Sequence, residues 1–277
     1  MDLDALIAAA LAEDIGDGDH SSLASVPNEA EGKAHLLVKE AGVLAGVEVA
    51  QKVFAAVDPA LALDIRLHDG AEITPGEIAF IVTGRAQSIL KAERLVLNLM
   101  QRMSGIATQA HRISALLAGT KAKVLDTRKT TPLLRYLEKW AVRIGGGHNH
   151  RFGLYDMIML KDNHLDYAGG IAAAVSATRR YLTEQNKALK IEVEARDMDE
   201  VRQILATEGV DRIMLDNFDY AMTKEAVALI DGRCETESSG GITLETIRGY
   251  AECGVDYISV GALTHSVKSL DLSLKAI

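Results

Sequence analysis

From residue 120 onward, short apolar runs alternate with amphipathic segments. Seven runs rich in β-branched and aliphatic residues have the length and composition of buried strands; they cover residues 123–127, 141–145, 157–162, 190–195, 212–217, 234–239 and 257–262. Segments between most of them, such as residues 197–209 and 243–254, carry apolar residues at helical spacing. Buried strands that alternate with helices pair in parallel, so this half of the chain is predicted to be an α/β domain on a parallel sheet.

Polar residues and one glycine stand where the predicted strands end. They are Asp126, Arg128, Lys161, Glu194, Asp216, Ser239 and Gly261. The last four recur at intervals of 22, 23 and 22 residues, which is the repeat of a tight βα unit. In an α/β barrel the active site is built from the carboxyl ends of the strands and the loops that follow them. We therefore expect one pocket lined by these strand ends.

The pattern changes before residue 120. Residues 34–46, 63–73 and 78–90 read as strands joined by turns that contain glycine or aspartate. Residues 91–118 then predict one long helix, with an apolar face formed by Leu95, Leu99, Met103, Ile106, Ile113 and Leu117. The expected division is an N-terminal α+β domain at residues 1–110 and an α/β domain at residues 111–266.

Composition places the chain among ordinary globular proteins. Of its 277 residues, 48% are hydrophobic and 25% are charged. The N-terminus is acidic where a signal peptide would be basic, and no small-residue cleavage site follows an apolar core. The apolar run at residues 5–12 is too short for a membrane span. Cys234 and Cys253 lie far apart without metal-binding spacing, as expected for reduced thiols. These features predict a soluble cytoplasmic protein.

Charge is distributed unevenly. The whole chain has a formal net charge of −9, whereas residues 126–164 contain seven lysines and arginines against four acidic residues, a local excess of +3. Three histidines in the same stretch, His148, His150 and His164, can add to it. A cationic pocket in an acidic protein indicates a small polyanionic ligand, since nucleic acid selects a broad basic face.

The segment from Gly145 to Gly153 allows more than one interpretation. It does not form a dinucleotide-binding loop, because the position of the last required glycine is occupied by His150, and the chain contains no other phosphate-binding loop motif. His148 and His150 form a pair of possible metal ligands. Together with Lys161, His164 and Asp216 they would suggest a zinc-dependent amidohydrolase.

The charged residues on the strands are also open to two interpretations. An ammonium at the end of an apolar strand must be paired, so Lys161 either neutralises Asp162 or Glu194 or faces the pocket. Glu192 and Glu194 share one face of their strand. These carboxylates suit ribose hydroxyls and a Mg²⁺ ion, or they balance lysines in the fold.

Several motifs together resemble one known family. They are DTRKTTP at residues 126–132, GGGHNHRFG at 145–153, KDNH at 161–164, LDNF at 215–218, SSGGI at 238–242 and VGALTHS at 260–266. Their types and order resemble quinolinate phosphoribosyltransferase, also called nicotinate-nucleotide pyrophosphorylase (carboxylating). ALAEDIGDGDHSS at residues 10–22 fits the same family, so the resemblance covers nearly the whole chain.

The resemblance implies a fold and a reaction. The fold is a parallel, incomplete α/β barrel, expected to have seven strands, with an N-terminal α+β sandwich that residues 267–277 rejoin. The reaction is phosphoribosyl transfer from 5-phosphoribosyl-1-pyrophosphate to quinolinate, with Mg²⁺, giving nicotinate mononucleotide, pyrophosphate and CO₂. The working unit would be a homodimer or larger assembly with shared active sites, and neither nucleic acid nor membrane is an expected partner.

The resemblance also assigns roles to residues. Quinolinate would be bound by Arg102, Arg128, His150, Arg151 and Lys161. The phosphoribosyl pyrophosphate would be bound by Lys129, Glu194, Asp216, Ser239, Gly240, Gly261 and His265. Lys129, Glu194 and Asp216 would be catalytic, and the two carboxylates would hold Mg²⁺.

Three points remain open at the level of the sequence. By itself, Arg102 reads as a surface arginine on an amphipathic helix, whereas in the family the matching arginine enters the neighbouring subunit's site. Leu133 stands where many members have glycine, so the shape of that loop is uncertain. A related branch associated with molybdate transport operons shares these motifs and is a second alternative.

Overall fold

The computed structural model describes residues 2–277, and chain contacts divide them into two compact units. The first unit contains residues 2–111, 130–146 and 263–277, and the second contains residues 112–129 and 147–262. The first cut, after His111, lies next to the boundary expected at residue 110. Residues 130–146 and 263–266 differ from the expected division, because they group with the first unit rather than with the α/β domain.

Helices and strands are numbered along the chain. The helices are α1 (Leu3–Ile15), α2 (His20–Ser25), α3 (Val47–Val57), α4 (Ala86–Leu116), α5 (Arg135–Ile144), α6 (Asp162–Ala168), α7 (Ile171–Glu184), α8 (Met198–Leu205), α9 (Tyr220–Ile230), α10 (Ile247–Glu252) and α11 (Ala262–His265). The strands are β1 (Glu31–Val38), β2 (Gly42–Val43), β3 (Ala62–Ile65), β4 (Glu72–Ile73), β5 (Ile78–Arg85), β6 (Lys123–Leu125), β7 (Ile158–Leu160), β8 (Ile191–Ala195), β9 (Arg212–Asp216), β10 (Glu235–Ser239), β11 (Tyr257–Ser259) and β12 (Leu272–Ala276). In residues 2–277, no helix combines the length and the apolar character that a bilayer crossing requires.

The first unit is built on an antiparallel sheet with the strand order β12-β1-β5-β3. Strand β1 buries Leu36 and Val38 on one face, which is the alternation expected when one face of a sheet covers a core. Phe54 from α3 meets Phe80 from β5 edge to face, with ring centroids 5.9 Å apart. Because β12 pairs with β1, the last residues of the chain belong to this sheet.

The long helix predicted over residues 91–118 is confirmed. Helix α4 spans Ala86–Leu116, so it begins five residues before the predicted start. The residues of the predicted apolar face are all buried: Leu95, Leu99, Met103, Ile106, Ile113 and Leu117. Helical periodicity over such a long segment is a strong signal, because apolar residues recur on the same face of the helix at every turn.

The second unit contains the predicted parallel sheet. Its strand order is β6-β11-β10-β9-β8-β7, and each adjacent pair runs in parallel. Asp197 and Asp219 cap the N-termini of helices α8 and α9. Their side chains accept the amide hydrogens of Glu200 and Met222, as preferred N-caps do. Six of the seven predicted strands are confirmed, and the mixed α/β class is confirmed with them.

The strand predicted at residues 141–145 is wrong. These residues form the end of helix α5, which buries Leu137, Ala141 and Val142 at helical spacing. The β-branched Val142 and Ile144 suggested a strand, but the spacing of apolar residues from Leu137 onward follows a period of 3.6 and packing decided the outcome. The sheet therefore has six strands. At the edge strand β6, Leu125 forms only an isolated parallel bridge with His148.

Charged residues are buried within this sheet. Glu192 and Glu237 have no exposed surface, and Glu194 and Arg212 are exposed by only 6% and 7%. Side chains inside α/β barrels are mostly branched and apolar, and buried charges require partners. The sheet thus contains paired charges among its buried side chains. Some of them lie next to the site at the carboxyl end of the sheet.

Candidate active site

A cavity of about 330 Å³ opens at the carboxyl end of the parallel sheet. It is lined by Thr127, Arg128, Lys129, His150, Arg151, Met159, Lys161, Met214, Glu237, Ser239 and Ser259. Six of these were predicted as site residues from the sequence. They come from segments far apart in the chain, and the parallel sheet brings them together because all its strands end on the same side.

A buried carboxylate joins two of the lining segments. Asp126 has no exposed surface. Its side chain accepts the amide hydrogen of His150 over 2.9 Å and a side-chain hydrogen bond from Asn149 over 2.5 Å. The turn that follows β6 therefore lies beside the segment that carries His150. This arrangement places Arg128 and Lys129 next to His150 and Arg151.

Arg151 is held against the beginning of β7. Its guanidinium donates to the carbonyl of Met157 over 3.3 Å and to the sulfur of Met159 over 3.5 Å. The loop after it is closed by Asp156, which accepts the amide hydrogen of Phe152 over 2.6 Å. Burial lowers the pKa of Arg151, and the nearby Arg128 lowers it further. Two guanidinium groups brought this close favour an anion between them.

Lys161 satisfies both interpretations that the sequence allowed. Its ammonium lies 2.7 Å from Glu194 Oε2 and also lines the cavity. Its side chain is half-exposed rather than buried, whereas Glu194 is almost completely buried. The amide of Lys161 donates to His164 Nδ1 over 2.9 Å, so His164 caps the start of α6.

His150 meets two buried carboxylates. Its Nε2 lies 3.0 Å from Glu192 Oε2 and 3.4 Å from Glu237 Oε2. Arg212 Nη1 donates to the same Glu237 oxygen over 2.9 Å. Burial lowers the pKa of His150, but the two carboxylates outweigh it and raise the pKa to about 9. Burial and the neighbouring Glu237 raise the pKa of Glu192 to about 7.

This cluster is better explained by ion pairing than by a metal. Candidate ligand atoms of His150, Glu192 and Glu237 lie within 4.8 Å of one another, and in residues 2–277 no other such group of three occurs. Arg212 and a protonated His150 already balance the two carboxylates, so a divalent ion would leave buried positive charge without a counterion. His148 is exposed and lies outside the group. The ligand set of the zinc hydrolase alternative is therefore not assembled.

The phosphate-binding residues predicted on β9 and β10 are neighbours. Asp216 and Ser239 are directly paired in the sheet register, and Asp216 Oδ2 accepts a hydrogen bond from Asn217 over 2.8 Å. Gly240 has φ +97°, and a Cβ there would collide with Asn217. Glycine at this position is thus required by both the backbone conformation and the close approach of the next loop.

Two predicted site residues, Arg102 and His265, belong to the first unit. Arg102 donates from Nε and Nη2 to one oxygen of the buried Glu138, over 2.9 and 2.6 Å. It also donates to Thr131 Oγ1 over 2.8 Å. His265 is exposed, with Nδ1 2.7 Å from the hydroxyl of Ser266. Arg102 thus has a structural partner within its own unit, which the helical pattern did not predict.

Leu133 adopts the conformation for which glycine is suited. Its φ is +68° and its side chain is 70% exposed. A left-handed backbone costs a residue with a Cβ about 1–2 kcal/mol. The loop therefore keeps the left-handed turn without the glycine that many members have there, at the expense of local strain.

Sequence reasoning missed some of the lining residues. They are Thr127, Met159, Met214, Glu237 and Ser259. A signal existed for Glu237, because Glu235, Glu237 and Ser239 alternate along one face of a predicted strand. The two methionines have no such signal, because an apolar residue in a buried strand reads as core.

Comparisons with known proteins agree over the whole chain. The family models described as quinolinate phosphoribosyl transferase, N-terminal domain and C-terminal domain, match residues 19–104 and 106–275. The chain is 47% identical over 289 residues to quinolinate phosphoribosyltransferase [decarboxylating] 1b of Nicotiana tabacum, covering 99% of this chain and 82% of that protein. The chloroplastic nicotinate-nucleotide pyrophosphorylase [carboxylating] of Arabidopsis thaliana is also 47% identical, with the same coverage.

Solved structures lead to the same family. NadC from Streptococcus pyogenes superposes with a TM-score of 0.94 at 41% identity, covering 99% of this chain and 97% of that one. Nicotinate-nucleotide pyrophosphorylase from Ehrlichia chaffeensis has a TM-score of 0.93 at 33% identity, covering 100% and 99%. The similarity therefore extends over both units of the chain.

Proposed function

The chain belongs to the quinolinate phosphoribosyltransferase family, and from this premise we propose that the cavity at the carboxyl end of the parallel sheet carries out the family's reaction. The enzyme transfers the phosphoribosyl group of 5-phosphoribosyl-1-pyrophosphate to quinolinate and releases CO₂ and pyrophosphate. The product, nicotinate mononucleotide, is a precursor of NAD. The observation that carries the assignment to this cavity is its charge: Arg128, Lys129, Arg151 and Lys161 against Glu237 give 4 − 1, or +3, before His150 is counted.

Quinolinate is a planar dicarboxylate, and its two anionic groups call for several cations in fixed positions. Arg128 and Arg151 offer guanidinium forks that match carboxylate geometry. Lys161 adds a point charge, and His150 lines the same cavity. Charge-assisted contacts between cations and carboxylates can both bind the ligand and orient it. We assign these four residues to quinolinate.

The sugar phosphate occupies the remaining strand ends in our proposal. Ser239 ends β10, Gly240 follows it and Gly261 follows β11, and backbone amides in loops after the last strands of a barrel commonly bind phosphate. We assign Glu194 and Asp216 to the ribose hydroxyls and Lys129 to the pyrophosphate. His265 is assigned to phosphate by family resemblance alone.

The chemistry requires charge placement more than covalent catalysis. The pyridine nitrogen attacks the anomeric carbon while the bond to pyrophosphate breaks, and the sugar carries positive charge in the transition state. Glu194 and Asp216 oppose that positive charge, and Lys129 offsets the charge of the departing pyrophosphate. The alkylated nitrogen then stabilises the electron pair left on the ring carbon as CO₂ departs, and that carbon takes up a proton.

We propose that Mg²⁺ assists this reaction. Glu194 and Asp216 lie on the paired strands β8 and β9 and offer carboxylate oxygens, which are the ligands that Mg²⁺ accepts while keeping waters and substrate phosphates. When bound, Mg²⁺ would offset negative charge on the pyrophosphate. Removal of divalent ions with a chelator should abolish turnover. Restoration by Mg²⁺ supports the proposal, whereas restoration by Zn²⁺ alone would favour the hydrolase alternative.

The direct test is release of labelled CO₂ from carboxyl-labelled quinolinate, with and without 5-phosphoribosyl-1-pyrophosphate. Release that depends on the sugar pyrophosphate is the expected result. No release from quinolinate by a folded protein would remove the assignment and leave the molybdate-operon relative as the better candidate. We also propose a cytoplasmic location. Some plant relatives are named as chloroplastic or mitochondrial, so the location should be checked by fractionation of cells.

We propose further that two copies share their sites, with Arg102 reaching the partner's cavity. Mixing an inactive Arg102→Ala protein with an inactive Lys129→Ala protein should then restore activity, because one hybrid site contains both intact residues. No recovery in a mixture shown by mass to have exchanged subunits would place Arg102 outside the site. Its contact with Glu138 would in that case be its whole role.

A further inference from the structure

Two buried carboxylates beside His150 have no part in the reaction described above. Glu192 and Glu237 are both without exposed surface. They lie on β8 and β10, on either side of Arg212 from β9. Taking a carboxylate out of water is costly unless a partner compensates for it. Each carboxylate must therefore have a compensating partner.

The partners of the two carboxylates differ. Glu237 receives a hydrogen bond from Arg212 over 2.9 Å, and Arg212 also contacts Glu235 over 3.1 Å. Within the described residues, no hydrogen-bond donor other than the ring of His150 serves the side-chain oxygens of Glu192. The charged group in contact with Glu192 is the ring of His150, whose Nε2 lies 3.0 Å away. Glu192 thus faces the one residue of this cluster that the proposed function assigns to quinolinate.

Nε2 of His150 carries a hydrogen in both protonation states of the ring. The amide of Arg151 lies 2.6 Å from Nδ1 and is directed at it, so in the neutral ring Nδ1 is the acceptor and Nε2 carries the hydrogen. In the charged ring, both nitrogens carry one. A hydrogen on Nε2 is common to the two states, and it points to the two carboxylates.

We propose that Glu192 is a positioning residue of the quinolinate site: its carboxylate accepts the Nε2 hydrogen of His150 and fixes the orientation of the ring that lines the cavity, while Glu237 lies 3.4 Å from the same nitrogen. This inference rests on the proposed role of His150 in binding quinolinate. Glu192 touches no substrate, so it acts only through the ring. Its loss leaves the Arg212–Glu237 pair in place, which separates its role from that of the ion pair below.

The test compares three variants. Glu192→Leu removes the acceptor, Glu192→Gln keeps an acceptor oxygen without the charge, and Glu235→Gln is the matched control, because it removes a carboxylate from the other side of Arg212. We expect Glu192→Leu to raise the KM for quinolinate about 10-fold with kcat changed less than about 3-fold. Glu192→Gln should recover most of this loss, and Glu235→Gln should leave both constants unchanged. Equal kinetics in wild type and a folded Glu192→Leu protein would overturn the proposal.

A double-mutant cycle with His150→Ala separates this proposal from the proposed function. If Glu192 acts through the ring, Glu192→Leu should have no further effect on KM in the His150→Ala background, since coupled residues are non-additive. Additive effects would overturn the inference while leaving the site assignment intact. An unchanged quinolinate KM in His150→Ala alone would instead remove His150 from the proposed site.

A spectroscopic measurement follows the ring itself. In ¹⁵N-histidine-labelled wild type, Nε2 of His150 should show the chemical shift of a protonated nitrogen. In Glu192→Leu, the signal should move toward a mixture of tautomers, because the acceptor is gone. An identical Nε2 shift in both proteins would mean that Glu192 does not hold this hydrogen, and it would overturn the proposal even if KM had changed.

Discussion

Both ends of the parallel sheet carry a cavity lined by lysines and arginines, yet the two ends differ in their balance of charge. The cavity at the carboxyl end has three more cations than carboxylates among its lining residues. A second cavity, at the amino end, is lined by three cations and three carboxylates, Lys121, Lys190, Arg233, Asp211, Glu235 and Asp256, so its formal charge is zero.

The amino-end charges are matched within the fold. Lys121 lies 2.7 Å from Asp256, and Lys190 lies 3.3 Å from Glu235. Asp256 also accepts hydrogen bonds from the amide and the hydroxyl of Thr236, over 2.9 and 2.7 Å. Balanced charges of this kind stabilise the fold and require no ligand. An excess of one sign, held in place by the backbone, is the feature that indicates a binding site.

The largest expected effect concerns the charge excess itself. The enzyme should prefer quinolinate to nicotinate by about 10³-fold or more in kcat/KM, because cations that a bound dicarboxylate would pair and shield from water are left unmatched when one carboxylate is missing. Steady-state kinetics with both substrates measures the ratio. Comparable efficiency with nicotinate would mean that the excess charge at the carboxyl end serves the sugar phosphates alone.

Removing one cation from each end should give opposite results. Lys129→Ala should lower the rate of the chemical step by about 100-fold with little change in quinolinate affinity, because its charge is placed for the leaving pyrophosphate. Lys190→Ala, the control at the amino end, should keep wild-type kinetics. Single-turnover experiments with a quinolinate titration separate rate from binding. Lost affinity at an unchanged rate in Lys129→Ala would move that residue to the quinolinate subsite.

Stability at the carboxyl end should fall as pH rises. The pKa of His150 is raised to about 9 in the folded protein, from an ordinary value near 6.5. The folded state therefore binds this proton more tightly, and the resulting stabilisation is complete below pH 6.5 and lost as pH rises through 9. We expect a loss of about 1–3 kcal/mol in the free energy of unfolding over that range. Denaturant titrations at several pH values measure this loss. The free energy of unfolding should fall less steeply with pH in His150→Asn than in wild type, and equal pH dependence in the two proteins would contradict the assignment.

The smallest expected effect lies at the amino end. Hydrogen bonds from Lys121 and Thr236 outweigh the effect of burial and lower the pKa of Asp256, so its contribution is lost as pH falls, the reverse of His150. Asp256→Asn should cost about 1–2 kcal/mol of unfolding free energy, through loss of the Thr236 and Lys121 contacts. Its kcat and KM should stay at wild-type values. A kinetic defect in a well-folded Asp256→Asn protein would show that the two ends are coupled.

Part of the site was predictable because several of its residues occupy regular positions at strand ends. Of the four residues found by their spacing, Ser239 lines the cavity, whereas Glu194, Asp216 and Gly261 are not among its lining residues. The parallel sheet was found by alternating strands and helices. One strand was misassigned, because Val142 and Ile144 have strand-like side chains although the segment packs as helix α5. Local composition is a weak guide where a segment is short and both periods fit it.

The sequence by itself determined the α/β class, the end of the sheet at which the site lies, the local excess of positive charge and the family. Only the tertiary structure decided which charges meet. His150, Glu192 and Glu237 lie on separate segments, and no spacing rule connects them. Yet Nε2 of His150 lies 3.0 Å from Glu192 and 3.4 Å from Glu237, and all three side chains have almost no exposed surface. Electrostatic energy depends on distance and on exclusion of water. Both quantities come from the packing of the strands and not from their order along the chain.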